Sequence, residues 1–436
     1  MKKPINIGLI GLGTVGTGVI KILHENKSVI ESRLGFPIVI KKIADLDITT
    51  DRGVPIRPEI LTTNAREVIN DPEISVIVEL IGGYEPARTF VLEAISNNKH
   101  IVTANKALLA THGNEIFKAA SEQRVEISFE ASVGGGIPLI HGIKEGLVAN
   151  QIKTLFGILN GTANYILTKM TCERASFASA LKEAQAKGYA EADPTLDVEG
   201  IDTAHKLAIL ITLCFGAPIQ FDAIYTEGIS SITPLDIEFV ERFDYTIKLL
   251  AIAKHTQNGL EARIHPTMIP ARTMLANVND SFNALRVTGD MVGDVLFYGR
   301  GAGMLPTGSA VVSDLVDVAR NIAFGSVGRT PAIGYQPDAV CRQRIKNIEE
   351  LETNYYFRFT AMDSPNVLSK IAGVLGAHQI SIESVQQIGR GSLGAVPIVM
   401  ITHKAREANV RSALAEIDNL PIVQAKTMII RIENET

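Results

Sequence analysis

Ile5-Asn6-Ile7-Gly8-Leu9-Ile10-Gly11-Leu12-Gly13-Thr14-Val15-Gly16 reads as a buried strand running into a glycine-rich turn that opens a helix. A short, continuous apolar run of this kind suits a strand covered on both faces of a parallel sheet. The three glycines at 11, 13 and 16 are spaced for a tight turn, for close approach of backbone to a pyrophosphate, and for helix-against-sheet packing. The helix start adds N–H donors and the positive end of its dipole. Gly11, Gly13, Thr14, Val15 and Gly16 are therefore the candidate phosphate contacts.

Working outward, Ile38–Ala44, Val76–Ile81 and His100–Thr103 repeat the apolar strand theme, and Thr89–Asn97 carries Val91, Leu92 and Ile95 on one helical face. The alternation predicts an α/β fold, a Rossmann-type doubly wound parallel sheet, over residues 1–150. The second strand ends in Ala44-Asp45-Leu46-Asp47. A carboxylate such as Asp45 would accept from a ribose hydroxyl and favour NAD, whereas Arg52 would meet a 2′-phosphate. Both readings stay open. Lys106 follows the short strand from His100 and so sits at the carboxyl edge of the sheet, where ligands bind, unless it is only a solvated loop lysine.

Residues 151–326 read as an α+β substrate domain. Helical patterns cover Phe177–Lys187, Asp202–Phe215 and Pro234–His255, with strands at Thr154–Leu159 and Leu285–Thr288. The second of those helices is expected to stop at Gly216, just before Pro218. In Gly188–Lys206 a run of acids brackets a proline turn and a helix start, and Asp202 and Lys206 stand four residues apart on one face. That spacing serves either a surface ion pair or a substrate site with a lysine poised for proton transfer. Val125–Phe129 is a strand that leads into Glu130-Ala131-Ser132-Val133-Gly134-Gly135-Gly136-Ile137-Pro138. This second glycine-rich turn is either a tight crossover or a loop of carbonyls able to hold a hard cation. The histidines show no zinc spacing.

Residues 327–352 look like a linker. The last unit, 353–436, has the order β-α-β-β-α-β of a ferredoxin-like fold. Its strands are Tyr355–Ala361, Ile380–Gln386, Ala395–Thr402 and Val423–Ile432. Its helices are Asn366–His378, with Val367, Leu368, Ile371 and Leu375 inward, and Arg406–Asp418, with Val410, Leu414 and Ile417 inward.

The chain has 436 residues with 42 Lys and Arg against 47 Asp and Glu, so no basic excess points to nucleic acid or an anionic membrane. Three scattered cysteines, Cys172, Cys214 and Cys341, cannot build a disulfide framework and favour a reducing compartment. Met1-Lys2-Lys3 before an apolar run imitates a signal peptide, but glycines interrupt the run, and the expected address is the cytoplasm.

These motifs together resemble the bacterial homoserine dehydrogenases that carry a C-terminal ACT domain. The resemblance rests on Gly11–Gly16, Val102–Leu108, Glu130–Pro138, Gly157–Leu167, Ala184–Lys206, Tyr298–Gly303 and Pro306–Ala310, and it covers essentially the whole chain. It implies reversible, NAD(P)-dependent interconversion of L-aspartate 4-semialdehyde and L-homoserine, on the way to threonine, methionine and isoleucine. It further implies Lys206 as proton donor, Lys106 as a second active-site lysine that also meets the cofactor, and Glu191, Asp202 and Asp197 as substrate contacts. Thr103, Gly188 and Gly303 would contact the cofactor. A sodium ion would be held by the carbonyls of Val133, Gly135 and Ile137 with Glu130 alongside. The ACT unit implies an amino-acid effector, threonine, although Pro365-Asn366 replaces the usual Pro-Gly; Asn tolerates left-handed backbone, so the turn is expected to survive. A homodimer or homotetramer is expected. Two rivals remain: another ACT-linked NAD(P)-dependent dehydrogenase, and a nucleotide-binding regulatory protein that has lost catalysis.

Overall fold

The computed structural model describes residues 3–387 and 395–434; Met1 and Lys2 of the signal-like start, residues 388–394 and the last two residues of the C-terminal unit lie outside them. The chain forms two compact units. One comprises residues 1–154, 202–221 and 282–343, the other 155–201, 222–281 and 344–436.

In the first unit, β1 (Ile5–Ile10), β2 (Ile38–Ala44), β3 (Leu61–Thr62), β4 (Val76–Glu79), β5 (His100–Thr103) and β6 (Ile127–Ser128) make one sheet in the order β3-β2-β1-β4-β5-β6. Every pair in it is parallel. The order reverses between β1 and β4, the switch point at which such sheets bind ligands. The strand expected over Val125–Phe129 is reduced to Ile127–Ser128.

An element that periodicity left unassigned completes this body. Met304–Phe324 is a 21-residue helix, closed by Gly325 in the left-handed region (φ 65°). It packs on the Thr14–Glu25 helix, and Val311, Leu315 and Val318 share a core with Val19, Ile20, Leu9 and Val78. A side chain at Gly18 would sit 2.3 Å from the Met304 carbonyl oxygen, so the two helices meet backbone to backbone.

In the second unit the helix expected over Pro234–His255 stops at Arg242. Tyr245–Thr256 is instead a strand, paired residue for residue with Gly259–Pro270 in a long hairpin. Asp244 takes φ 62° and breaks the helix. The following Tyr-Thr-Ile-Lys-Leu-Leu-Ala-Ile-Ala is buried across most of its length, and a buried strand and a buried helix share that apolar signature.

The C-terminal part folds as expected, with strands Glu352–Met362, Ile382–Gln387, Ala395–Thr402 and Val423–Ile432 and helices Val367–Ala377 and Glu407–Ile417. Val423–Ile432 and Ala395–Thr402 flank Glu352–Met362, and Ile382–Gln387 lies at the edge. Val367, Ile371 and Leu375 point into an aromatic core of Tyr355, Phe357 and Phe359. Leu368, expected beside them, is instead 41% exposed. One step around a helix turns it about 100° away from the 367-371-375 stripe. Asn366 does adopt φ 69°, the conformation glycine usually supplies.

This module is not free-standing. Val423–Ile432 also pairs in parallel with the Gly259–Pro270 strand through Thr267 and Met268. Buried charges follow the seam: Arg431 meets Glu407 and Glu227, and Arg263 meets Glu433. Arg358 reaches Asp236, which is wholly buried, at 2.6 Å. Removing one partner of such a pair typically costs about 3–5 kcal/mol.

Candidate active site

The Gly11–Gly16 loop is built as its spacing implies. Gly11 has φ 105°, and a Cβ there would run into the backbone of Leu80. A Cβ on Gly16 would lie 2.2 Å from the Gly11 carbonyl oxygen, whereas nothing lies within 4 Å of the position at Gly13. Gly13 thus faces open space at the start of the helix, room for a phosphate to meet the helix N–H groups.

Asp45 stands at the end of β2, but its carboxylate is engaged within the chain. One oxygen accepts from the Leu12 N–H and the other from Asp47 N–H at 2.8 Å. Arg52 reaches Asp47 at 3.0 Å, and its buried Nε has no partner among the described residues. Hydrogen bonds from the Thr50 hydroxyl and the Thr49 and Thr50 amides hold the Asp47 carboxyl well below the usual range.

At the carboxyl edge, two stretches far apart in sequence meet. Lys106 opens the Lys106–Gln123 helix, capped by Asn105 Oδ1 on Leu108 N–H. Asp202 and Lys206 occupy the first turns of Ile201–Phe215, a helix buried along almost its whole circumference. Lys206 Nζ lies 2.6 Å from Asp202 Oδ2, and Lys106 Nζ lies 3.2 Å from Asp202 Oδ1. One carboxylate therefore holds two ammonium groups. Asp202 and Lys206 are each 8% exposed, so they are no surface ion pair. The Lys106 side chain is 41% exposed, which leaves the site open on that side.

The far end of the Ile201–Phe215 helix stops at Gly216 (φ 61°), as expected. Residues that follow the Met304–Phe324 helix cap it: Tyr335 Oη donates to Cys214 O, Gln343 Nε2 to Phe215 O, and Cys341 N–H to Gly216 O. These bonds satisfy carbonyls that a helix end leaves orphaned.

Two neighbours escaped the sequence reading. His205 is buried, stacks on Phe221 at 4.7 Å, and is held below its ordinary pKa by burial, with Lys106 and Lys206 adding to the effect against Asp202. Glu79, the last residue of β4, is fully buried and accepts from the Thr103 hydroxyl at 2.6 Å and from Ile81 N–H at 2.9 Å. Only adjacency to Lys206 and a position at a strand end could have flagged them.

In the Glu130–Pro138 loop, Gly134 and Gly135 take φ 73° and 55°. The Val133 and Gly135 carbonyls accept no hydrogen bond among the described residues, while that of Ile137 accepts from Leu139 N–H. Glu130 accepts from Ile140 and His141 N–H and from the His141 ring at 2.5 Å, so each of its oxygens is engaged yet retains acceptor capacity. Behind it, burial and Glu130 push the Asp314 carboxyl up to about 7, and Asp314 Oδ1 has no hydrogen-bond partner among the described residues. Two carbonyls with no hydrogen bond among the described residues, in the loop that the buried Glu130 opens, are the oxygen donors a hard cation prefers. Gly303, with φ 124°, precedes the Met304–Phe324 helix. Separately, His141, Glu145 and Asp317 cluster, but Arg329 already pairs with both acids.

In the second unit, Gly188 has φ 73° and faces open space, and Glu191 is exposed. Asp197 accepts from Asn160 Nδ2 at 2.7 Å, and Asn160 Oδ1 caps the Gly161–Glu173 helix.

Family models agree with this architecture. Residues 11–130 match the homoserine dehydrogenase NAD-binding domain, 138–316 match homoserine dehydrogenase, and 355–421 match the ACT domain. A homoserine dehydrogenase from Pseudomonas aeruginosa is 47% identical over 99% of both chains. The chain belongs to the homoserine dehydrogenase family. A Bacillus subtilis homoserine dehydrogenase is 40% identical over 99% of both chains. The crystal structure of a Thiobacillus denitrificans homoserine dehydrogenase is 48% identical, superimposes with a TM-score of 0.94, and covers both chains fully. The protein is thus an NAD(P)-dependent oxidoreductase of the homoserine dehydrogenase type with an ACT domain. Among the described residues no helix is long and apolar enough to cross a membrane.

The glycine geometry separates two effects. Gly13→Ala is expected to leave thermal stability unchanged and to weaken NADPH binding by about tenfold or more, because the new methyl enters the phosphate space. Gly16→Ala, which collides with the Gly11 carbonyl, is expected to lower both. Fluorescence titration and a thermal melt check this; unchanged NADPH affinity in Gly13→Ala contradicts it.

Proposed function

We propose that the two ammonium groups on Asp202 carry the interconversion of L-aspartate 4-semialdehyde and L-homoserine. The observation that carries the reading is the Lys206–Asp202–Lys106 arrangement, with two positive charges against one negative. Bound NAD(P)H supplies the hydride. As the aldehyde carbon is reduced, negative charge grows on its oxygen, and a fixed surplus of positive charge favours that state over the neutral aldehyde. Lys206 Nζ gives a proton to the forming alkoxide, and in the oxidation of homoserine it takes the hydroxyl proton back. Lys106 stabilises the same oxygen. Asp202 holds both ammoniums and meets the substrate's α-ammonium, a part that the family resemblance also gives to Glu191 and, more weakly, to Asp197.

The cofactor lies along Gly11, Gly13, Thr14, Val15 and Gly16, with Lys106 and Gly303 as further contacts and Gly188 added by the family resemblance; Thr103 contributes main chain, its hydroxyl being spent on Glu79. Arg52, held on Asp47 by one end of its guanidinium and with its Nε left without a partner among the described residues, supports a 2′-phosphate and hence NADP. Lys206→Ala is expected to cut kcat for homoserine oxidation by roughly 10²–10⁴-fold with NADPH affinity retained. Full turnover in that variant removes Lys206 from the mechanism.

A sodium ion on the carbonyls of Val133, Gly135 and Ile137, with Glu130 alongside, would rigidify the loop that packs against Gly301, where a Cβ on Gly135 would strike the backbone. Replacing sodium by tetramethylammonium is expected to lower activity; an unchanged rate removes the ion from the reading. The ACT domain is proposed to bind threonine at the cleft lined by Ser364, Asn366, Leu368 and Gln387, which encloses about 420 Å³. Asn366→Gly keeps the left-handed turn, whereas Asn366→Val strains it by about 1–2 kcal/mol. The first is expected to preserve inhibition by millimolar threonine and the second to blunt it; an intact enzyme that ignores threonine ends this reading. A homodimer or homotetramer, as the resemblance implies, and a cytoplasmic address, which three cysteines free of disulfides suit, complete the proposal.

A further inference from the structure

Glu79 does not touch the lysines, yet its contacts lead to one of them. Its carboxylate is 0% exposed at the end of β4, directly opposite Thr103 at the end of β5. Oε1 accepts from Ile81 and Gly82 N–H, at 2.9 and 3.3 Å, and Oε2 accepts from the Thr103 hydroxyl at 2.6 Å. That hydroxyl in turn accepts from Asn105 N–H at 3.0 Å. Asn105 then does two things. Its Oδ1 caps the helix that Lys106 opens, and its Nδ2 donates to Gly83 O at 2.8 Å. A closed polar circuit thus ties the Ile81-Gly82-Gly83 loop to the first residue of the Lys106 helix.

Burying a carboxylate is expensive unless donors surround it, and here they do. Burial pushes the Glu79 carboxyl up, against the pull of Thr103, Ile81, Gly82 and Asn105. An ionised carboxylate is acceptor-only and satisfies the Thr103, Ile81 and Gly82 donors together; a glutamine amide turned toward Thr103 donates instead, and the hydroxyl proton loses its acceptor. A site atom displaced by about 1 Å can lose roughly 100-fold in rate, so the exactness of this circuit bears on chemistry.

We infer that Glu79 is a positioning residue of the reaction: through Thr103 and Asn105 it sets the start of the Lys106 helix, and with it the distance from Lys106 Nζ to Asp202. This rests on the reading of Lys106 as an active-site ammonium.

Steady-state kinetics of the full-length enzyme test it, with Glu79→Gln and Thr103→Val each made alone and with Lys106→Ala. Thr103→Val keeps the volume and removes only the linking hydroxyl, so it carries the test if Glu79→Gln does not fold. Each is expected to lower kcat by about 10- to 100-fold with a smaller change in KM for homoserine. In the Lys106→Ala background each is expected to add less than about twofold, the non-additivity of groups that act as a unit. An equal fold-loss in both backgrounds, or a loss confined to KM, overturns the inference. Lys106→Ala alone reports on the lysine itself: full turnover there fails the lysine reading, and the Glu79 role with it, whereas a slow Lys106→Ala enzyme with additive Glu79→Gln fails the Glu79 role alone.

Discussion

A single carboxylate facing two ammonium groups is the constraint on which the rest of the structure depends. Lys106 and Lys206 would repel one another at the separation that a shared partner imposes; Asp202, 3.2 Å from one and 2.6 Å from the other, makes the approach tolerable. The trio keeps one net positive charge in a place where Lys206 is almost shielded from water, and low local dielectric strengthens that charge. An ammonium so placed has something to offer an oxygen that becomes negative.

Geometry this close demands rigid supports, and the fold provides them from distant parts of the chain. Lys206 rides on a helix buried nearly all round, whose far end is closed by Tyr335, Cys341 and Gln343. Lys106 begins a helix capped by its own neighbour Asn105. Underneath, the Met304–Phe324 helix fills the face of the sheet beside the nucleotide loop, close enough that only glycine fits at position 18.

Much of this was legible in the residues, and the losses have physical causes. The Gly11–Gly16 turn and the six-element C-terminal unit were readable because each combines a fixed spacing with turn chemistry. The Tyr245–Thr256 strand reads as helix in the sequence because a strand buried on both faces loses the alternation that identifies it. The Met304–Phe324 helix does not stand out in the sequence, although Val311, Leu315 and Val318 repeat at helical spacing, because its start has no side-chain cap and carries Pro306 and Gly308 in its first turns. Asp45 illustrates a different limit: position offers it to a ribose hydroxyl, and only the fold shows that its carboxylate also accepts from the Leu12 amide. Asp202 and Lys206 could be paired from their spacing, but burial, which separates a catalytic pair from a surface one, is a tertiary property. Lys106 is legible at the ligand edge of the sheet and, by resemblance, as a second active-site lysine, but its ion pair with Asp202 is a tertiary fact.

The most direct measurement is a crystal structure of the enzyme with NADP and homoserine bound. The account expects the substrate hydroxyl oxygen within about 3 Å of Lys206 Nζ, with Lys106 and Lys206 both still on Asp202. A complex in which Lys206 bonds only to Asp202, while another group meets that hydroxyl, contradicts it.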